Sequence, residues 1–283
     1  MIIDSFTFFN EYELCDIRLN YLSKTVDAFV IIESNLTWRA NPNKKKFDKV
    51  FAKLDDSIKK KVHYEFLEYD QDLYTQDKQF HTNKKTIQDY SRNKLVFNSR
   101  EIGNKDSLFF YSDLDEFWDK RCLLEIEKKI DTHKFIVCNQ DFRIVYVDWF
   151  ARQREWGGTR VTRLEHIDND CPLSSGKFHH SKSRIFRRLE NIRCGWHFSY
   201  FGSIEQRTQK LKNIKDSQDW EERKNKSYNE IAESINSINA WNAIARKKKI
   251  NARYNLPGIP LDPDLEKLFK KYPAFYEKSS KKL

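Results

Sequence analysis

Apolar and polar positions along the chain fall into two regimes. Up to about residue 130, short β-rich runs alternate with stretches of helical period. Ile2 to Phe8 alternates loosely and predicts a first strand. Asn10 suits a helix cap, with Glu13 three residues on as its capping-box partner, and Leu14, Ile17, Leu19 and Leu22 supply an apolar face. Ala28 to Ile32 is continuously apolar, the mark of a strand covered on both faces. Strand, helix and strand in direct succession make a βαβ unit and imply a parallel sheet. The pattern next predicts a loop over Asn35 to Asn43, a helix over Phe47 to Ile58, a strand over Val62 to Leu67 and a polar loop over Asp70 to Thr82. A helix over Asn83 to Arg100 is ended by Gly103, a fourth strand covers Leu108 to Tyr111, and a further helix spans about Asp119 to Ile130.

Beyond that point the period changes. Phe135 to Phe150 and Lys177 to Arg188 are long and β-like with basic residues interleaved, which predicts antiparallel or mixed additions, and Ile192 to Phe201 is another strand. From Ser203 the pattern is helical and highly charged until Leu256-Pro-Gly-Ile-Pro breaks it. The fold class expected is α/β: one domain over 1–255 with a mixed, mostly parallel central sheet flanked by helices and a helical C-terminal part. A basic extension is expected over 256–283.

Composition sharpens this only in part. With 21 Phe, 13 Tyr and 7 Trp the core should be aromatic-rich, and 7 Gly and 6 Pro are too few for a linker-rich chain. The net charge of +10 favours anionic partners without choosing among nucleotides, phosphates, nucleic acid and acidic membrane surfaces. Dense lysine occurs at Lys44 to Lys46, Lys247 to Lys249 and from Lys278 on. The five cysteines, Cys15, Cys122, Cys138, Cys171 and Cys194, are odd in number and lack Cys-x-x-Cys, which fits buried thiols rather than a disulfide frame or zinc site. Met1 to Phe9 is too short for a signal peptide and carries Asp4, and no apolar window approaches the ~18 residues of a membrane span. The expected location is cytoplasmic, with peripheral contact at an anionic membrane, so the glycosylation-type triplets at Asn35 and Asn225 carry no weight.

The fourth predicted strand runs into Ser112-Asp113-Leu114-Asp115-Glu116. Residues i and i+2 of an extended chain point to one side, so Asp113 and Asp115 are expected to converge while Leu114 faces the core. Convergent carboxylates bind a hard divalent cation, Mn²⁺ or Mg²⁺, that keeps positions open for substrate phosphates, and ligands bind at the carboxyl ends of strands in open α/β sheets. The same residues also suit a solvated acidic turn, with Asp119 capping the next helix.

Three stretches together resemble glycosyltransferase family 17. One is Phe8-Phe9-Asn10-Glu11 to Arg18-Leu19, running on to Val26-Asp27-Ala28-Phe29-Val30-Ile31-Ile32-Glu33-Ser34. The second is Tyr111 to Glu116, and the third is Gly195-Trp196-His197-Phe198-Ser199-Tyr200 followed by Glu205 and Lys210-Leu211. The resemblance covers roughly Ser5 to Trp241. It implies a GT-A fold, a metal held at Asp-x-Asp and sugar transfer with inversion at the anomeric carbon. The best-known member adds the bisecting N-acetylglucosamine to N-glycans in a β1,4 linkage, so the donor implied is uridine diphosphate N-acetylglucosamine. Residues 1–130 would then form the nucleotide-sugar half and 131–255 the acceptor half. Two departures matter: no membrane anchor is seen, and Phe117-Trp118 stands where Ile-Pro usually follows Asp-Glu. The expected acceptor is accordingly a lipid-linked or surface-polymer glycan, and no nucleic-acid partner is expected.

The resemblance also distributes roles. Asp113 and Asp115 would hold the metal, with Asp115 acting at the reacting diphosphate and Asp113 alternatively on ribose or a metal-bound water. Glu116 would orient either group, or only close the N-terminus of the next helix. His197 reads as a third metal ligand or diphosphate contact, or as a buried, satisfied histidine. Trp196 and Tyr200 would stack on a sugar or base, or belong to the core. Glu205, at a helix start past a strand end, reads as the base for the acceptor hydroxyl or as an ordinary first-turn glutamate, with Asp148 and Glu165 as alternatives. Asn10, Glu11, Arg18 and Glu33 are assigned to the donor, unless Arg18 pairs with Glu33 or Glu11. Arg184, Arg187, Arg188 and Arg193 read as anion contacts or a solvated strand face. Arg152 to Thr162, with Gly157-Gly158, is expected to be a mobile loop closing over the site. The competing functions are a metal-dependent phosphohydrolase or nuclease, which needs more acidic ligands, and a non-catalytic nucleic-acid-binding protein, whose affinity would fall steeply with salt.

Overall fold

The structure, a computed structural model, describes residues 1–70, 87–148, 150–167, 189–213 and 258–276. The expected strand over Lys177 to Arg188, the arginines 184, 187 and 188, Cys171, and the charged stretch beyond residue 213 lie outside the described residues.

Apolar runs at the start of the chain form a parallel set. β1 (Ile2–Thr7) lies between β2 (Ala28–Ser34) and β4 (Leu108–Asp113), with β3 (Val62–Leu67) outside β2. β7 (Phe150–Arg163) runs antiparallel to β4 and to β6 (Phe135–Ile144), β8 (Leu189–Ser199) runs parallel to β6, and the two-residue β5 (Glu116–Phe117) pairs antiparallel with β8. The result is one eight-stranded mixed sheet, ordered β3-β2-β1-β4-β7-β6-β8-β5. The helices are α1 (Tyr12–Leu22), the single turns α2 (Asp48–Phe51) and α3 (Asp56–Lys59), α4 (Ile87–Ile102), α5 (Leu123–His133), α6 (Ile204–Asn213) and α7 (Pro263–Phe269).

The period-2 alternation of the strands divides the core. Phe6, Phe29, Ile31 and Phe110 face the cluster that includes Leu14, Ile17 and Leu22 of α1. Ile3, Val30, Ile32, Phe109 and Tyr111 face Leu95 and Val96 of α4. Burial on both faces is what the uninterrupted apolar β2 run requires. Residues 258–276, expected to belong to a basic extension, bury Leu265, Phe269 and Phe275 in the α1-side cluster, and Tyr272 donates to Asp16 Oδ2 at 2.6 Å. The described cysteines Cys15, Cys122, Cys138 and Cys194 are all free thiols.

The sheet is curled where it carries the acidic motif. β4 ends at Asp113 and β5 begins at Glu116, three Cα steps that span at most about 11 Å. Between them in the sheet lie β7, β6 and β8, a separation of about 19 Å if the strands were laid flat at ~4.8 Å each. The sheet therefore bends back on itself. Inside the bend, Gln140 Nε2 of β6 donates to Phe117 O of β5 (3.1 Å) and to Thr159 Oγ1 of β7 (3.0 Å). Gly195 of β8 adopts φ +102°, and a Cβ there would lie 2.0 Å from Phe117 O.

Several expectations need correction. Asn10 does not cap α1; Glu11 occupies that position without a side-chain cap bond. The expected helix over Phe47 to Ile58 is two single turns, α2 and α3. The stretch from Arg152 to Thr162 is not a loop but part of β7, inserted between β4 and β6. Gly158 serves packing rather than hinging, since a Cβ there would sit 1.9 Å from Gln140 Oε1.

One buried guanidinium ties these pieces together. Arg18 of α1 is fully buried. Its Nε and Nη2 grip Asp4 of β1 at 2.8 and 2.7 Å, and Nη2 also reaches Ser112 Oγ at 2.6 Å. Nη1 donates to the carbonyls of Asp113, Leu114 and Glu116 at 3.0–3.1 Å. Trp118 Nε1 completes the shell of Asp4 at 3.1 Å. Breaking such a buried pair by removing one partner costs about 3–5 kcal/mol, so Arg18→Met is expected to lower unfolding free energy by that amount in urea titrations, and a loss under about 1 kcal/mol would refute the pinning role.

Candidate active site

The carboxyl ends of β1, β2 and β4 open into a cavity of about 200 Å³, walled by Thr7, Ser34, Asp113 and Asp115 together with the aromatic residues Phe8, Phe9, Trp38, Trp156 and Tyr200. This is where an open α/β sheet binds ligands. Tyr200, just past β8, holds φ +58°, a left-handed conformation that costs a non-glycine residue energy and recurs at functional sites.

Asp113 and Asp115 both reach this wall, but they do not converge. The extended geometry that would align them ends at Asp113, where Arg18 begins to draw the following carbonyls inward. Asp113 Oδ1 instead accepts from Arg92 Nη2 of α4 at 2.8 Å, and 26% of its side chain is exposed. Arg92 lies over the rings of Trp38 and Tyr111 at 5.5 and 5.8 Å. Asp115 is buried and turns the other way: its Oδ2 lies 2.7 Å from Lys210 Nζ and 3.3 Å from His197 Nε2. Lys210 Nζ also lies 2.9 Å from Glu11 Oε1. Leu114 is buried, as the motif predicts.

Burial opposes ionisation of Asp115, but the Lys210 ammonium, and after it His197, outweigh that cost and hold its carboxyl far below the usual carboxylate range. Burial likewise disfavours the Lys210 ammonium, yet Asp115 and then Glu11 raise its affinity for the proton well above that of a free lysine. His197 sits between Phe142 and Trp156, at ring distances of 4.9 and 4.7 Å, and its buried Nδ1 has no partner. Glu116, opposite His197 in the β5–β8 register, accepts from Trp156 Nε1 at 2.5 Å and from Asp113 N at 3.1 Å.

Among the described residues, no three His, Cys, Asp or Glu side chains are gathered around one point that a metal could occupy. The pair Asp115 and His197 does meet, and a hard cation held by one or two protein ligands completes its shell with water and substrate phosphate oxygens. The carboxylate suits Mn²⁺ or Mg²⁺, and the imidazole beside it tilts the donor set toward a transition metal such as Mn²⁺. The Lys210 ammonium, resting on the same Asp115 oxygen, is a stand-in for that cation and shows that the position favours positive charge. The pair thus fits a metal, and Asp113 is turned away to Arg92.

The other sequence candidates separate into pocket and framework. Glu11 lines the cavity. Arg18 spends its donors on Asp4 and the motif backbone. Asn10 is buried and its side chain donates to Gln209 Oε1 of α6 at 3.1 Å. Glu33 is buried, accepts from Lys46 N, Phe47 N and Tyr64, and is pushed up by burial against those bonds. Trp196 is fully buried in the core, its Nε1 on Ile259 O at 3.0 Å. Glu205 is exposed on α6 and accepts from Gln209 Nε2 at 3.3 Å. Glu165 lies by Lys105 at the opposite, amino end of β4, Asp148 is exposed, and Arg193 pairs with Asp141. Glu205, Glu165, Asp148 and Arg193 all stay off the cavity wall. Sequence reasoning gave no role to Arg92, Trp156 or Lys210. Only Lys210 carried a signal, as part of the third family-like stretch.

Residues 1–238 match the model of glycosyltransferase family 17. Among solved structures, an active-site mutant of LgtC aligns at 14% identity over 58% of this chain and 58% of that one, with a TM-score of 0.34. TarS residues 1–349 from S. aureus aligns at 10% identity over 99% of this chain and 82% of that one, with a TM-score of 0.40. LgtC in complex with donor and acceptor sugar analogs aligns at 10% identity, again over 58% of each chain, with a TM-score of 0.33. A search among curated proteins gave no match.

The charge geometry makes a pH-dependent prediction. Because the folded-state affinity of Asp115 for a proton lies below its ordinary value of 3.8, its contribution is fully present above about pH 4 and is lost as the pH falls below that. Asp115→Asn should cost about 2 kcal/mol near neutrality, the scale of hydrogen bonds to a charged group. Urea midpoints measured from pH 7 to pH 2 should show the gap to the wild type closing on acidification; a gap that widens would refute the assignment.

Proposed function

Because the chain belongs to glycosyltransferase family 17, we propose that it transfers N-acetylglucosamine from uridine diphosphate N-acetylglucosamine to a glycan hydroxyl, with inversion and with a divalent metal. The observation that carries this reading is the meeting of Asp115, His197 and Lys210 on the wall of a cavity at the strand ends of a mixed α/β sheet of GT-A type.

The cavity's chemistry supports a nucleotide sugar. Phe8, Phe9 and Trp38 offer apolar faces for a base or sugar ring, while Asp115, His197 and Lys210 form the charged end where a diphosphate would lie. Asp115 and His197 are the residues that would hold the metal, which when bound supplies Lewis-acid stabilisation of the departing diphosphate. Arg92, buried and paired with Asp113, adds positive charge beside a residue of that wall. Inversion by single displacement asks for a carboxylate at the acceptor hydroxyl; Glu205, exposed and off the cavity wall, is not carried forward for that role. A two-metal phosphohydrolase would need more acidic ligands than the cavity gathers.

For the acceptor, the net charge of +10 supports a lipid-linked or surface-polymer glycan approached from the cytoplasmic side, with peripheral contact at an anionic membrane. Among the described residues no helix is long and apolar enough to cross a membrane.

Thermal-shift measurements with a set of nucleotide sugars, each with and without Mn²⁺, test the donor. Uridine diphosphate N-acetylglucosamine with Mn²⁺ should raise Tm by several degrees, since ligand at about 100 times its Kd stabilises by about 2.7 kcal/mol. Chelation and Asp115→Ala should each remove the shift. A larger shift with another nucleotide sugar would replace the donor, and no shift with any would refute the reading.

A further inference from the structure

Lys210 lies at the centre of the cavity's charges. It projects from α6 with 18% of its side chain exposed and bridges two carboxylates from elements far apart in sequence, Glu11 before α1 and Asp115 after β4. The Asp115 oxygen it holds is also the one that His197 Nε2 approaches. A metal bound through Asp115 and His197 and the ammonium of Lys210 therefore compete for one oxygen, and two cations in contact repel strongly in a partly buried site.

Resting on the transferase reading above, we propose that Lys210 occupies the cation position of the donor-free enzyme and yields Asp115 when metal and nucleotide sugar enter together, staying on Glu11 at the edge of the diphosphate. The two anchors make this exchange feasible, because the flexible four-carbon stem can release one carboxylate while keeping the other. Charge balance favours joint entry. Glu11, Asp115 and Lys210 together carry one net negative charge. A dication alone would turn that into a net positive charge, whereas a dication with the doubly negative diphosphate of a nucleotide sugar leaves it unchanged. Metal affinity in the absence of nucleotide should then be held down by Lys210 itself. α6 can report the exchange to its surroundings, since Gln206 donates to Asn10 O at 2.8 Å and to Glu13 Oε2 at 3.0 Å.

The test is a Mn²⁺ titration followed by the electron paramagnetic resonance signal of free ion, on the full chain, with and without uridine diphosphate. Lys210→Gln, which removes the charge but keeps a donor for both carboxylates, should bind Mn²⁺ at least tenfold more tightly than the wild type when nucleotide is absent. Lys210→Met should do the same if the glutamine variant fails to fold, and Lys210→Arg should stay near the wild type. Nucleotide should strengthen Mn²⁺ binding at least tenfold in the wild type and much less in Lys210→Gln. Adding Asp115→Asn to Lys210→Gln should erase the gain. Equal affinity of Lys210→Gln and wild type, or a gain that survives Asp115→Asn, overturns the proposal. Nucleotide-sugar binding by the wild type with no gain in the variant overturns the role of Lys210 alone; a gain with no nucleotide-sugar binding overturns the transferase reading and the exchange with it.

Discussion

The path of the acidic motif along the cavity wall depends on the Arg18 guanidinium. Five N–H groups in one plane find Asp4, Ser112 and three carbonyls of the acidic motif. A guanidinium with no water must have each donor satisfied, or its burial costs several kcal/mol. That requirement works in both directions. The motif backbone can take only the path that offers its carbonyls to Arg18, and Arg18 can stay buried only while the motif follows that path. Rings of Phe6 and Phe117 close over the guanidinium at 4.6 and 5.6 Å and exclude solvent from the arrangement. The positions of Asp113 and Asp115 are thus decided by a residue that touches neither carboxylate.

The consequence for chemistry is a cavity wall with two charge pairs of different character. Asp113 and Arg92 form an ion pair between β4 and α4, partly open to the cavity. Asp115 and Lys210 form one between the motif and α6, shared with Glu11 and His197. Each cation is held by partners that the fold itself supplies, Arg92 by Asp113 and Lys210 by Asp115 and Glu11. The pairs also join three separate elements to the motif, so the local electrostatics and the packing of α4, β8 and α6 are one problem rather than three.

How far this could be read from letters alone differs by scale. Strands β2 and β4 were legible because each is a short apolar run, and burial on both faces leaves little freedom; β1 and the edge strand β3 showed by alternation and β-rich composition. The alternation of Trp196, His197 and Phe198 was also informative: period 2 sends Trp196 and Phe198 to the core and His197 to the other side. Stretch 152–162 misled because Gly157-Gly158 suits a hinge as well as a close approach, and only the neighbouring Gln140 decides between them. Arg18 on α1 and Glu33 near the end of β2 look like ligand contacts in a chain read linearly, since charged residues usually face solvent; their burial depends on partners up to about a hundred positions away. Arg92 was illegible for the same reason, and Lys210 showed only through the third family-like stretch. Ion pairs between distant elements leave no periodic trace in either partner's neighbourhood.

The curled sheet bears on how such an enzyme must move. Because the acidic loop is a short strap fastening the first strand of the bend to the last, the two ends of the arc, Asp113 and Glu116, stay within about 11 Å of each other. Gly195, pressed against Phe117 O, is where the arc has no slack. The give on this wall lies instead with α6, whose Lys210 and Gln206 reach the motif and the start of α1 through polar contacts that can be exchanged one at a time.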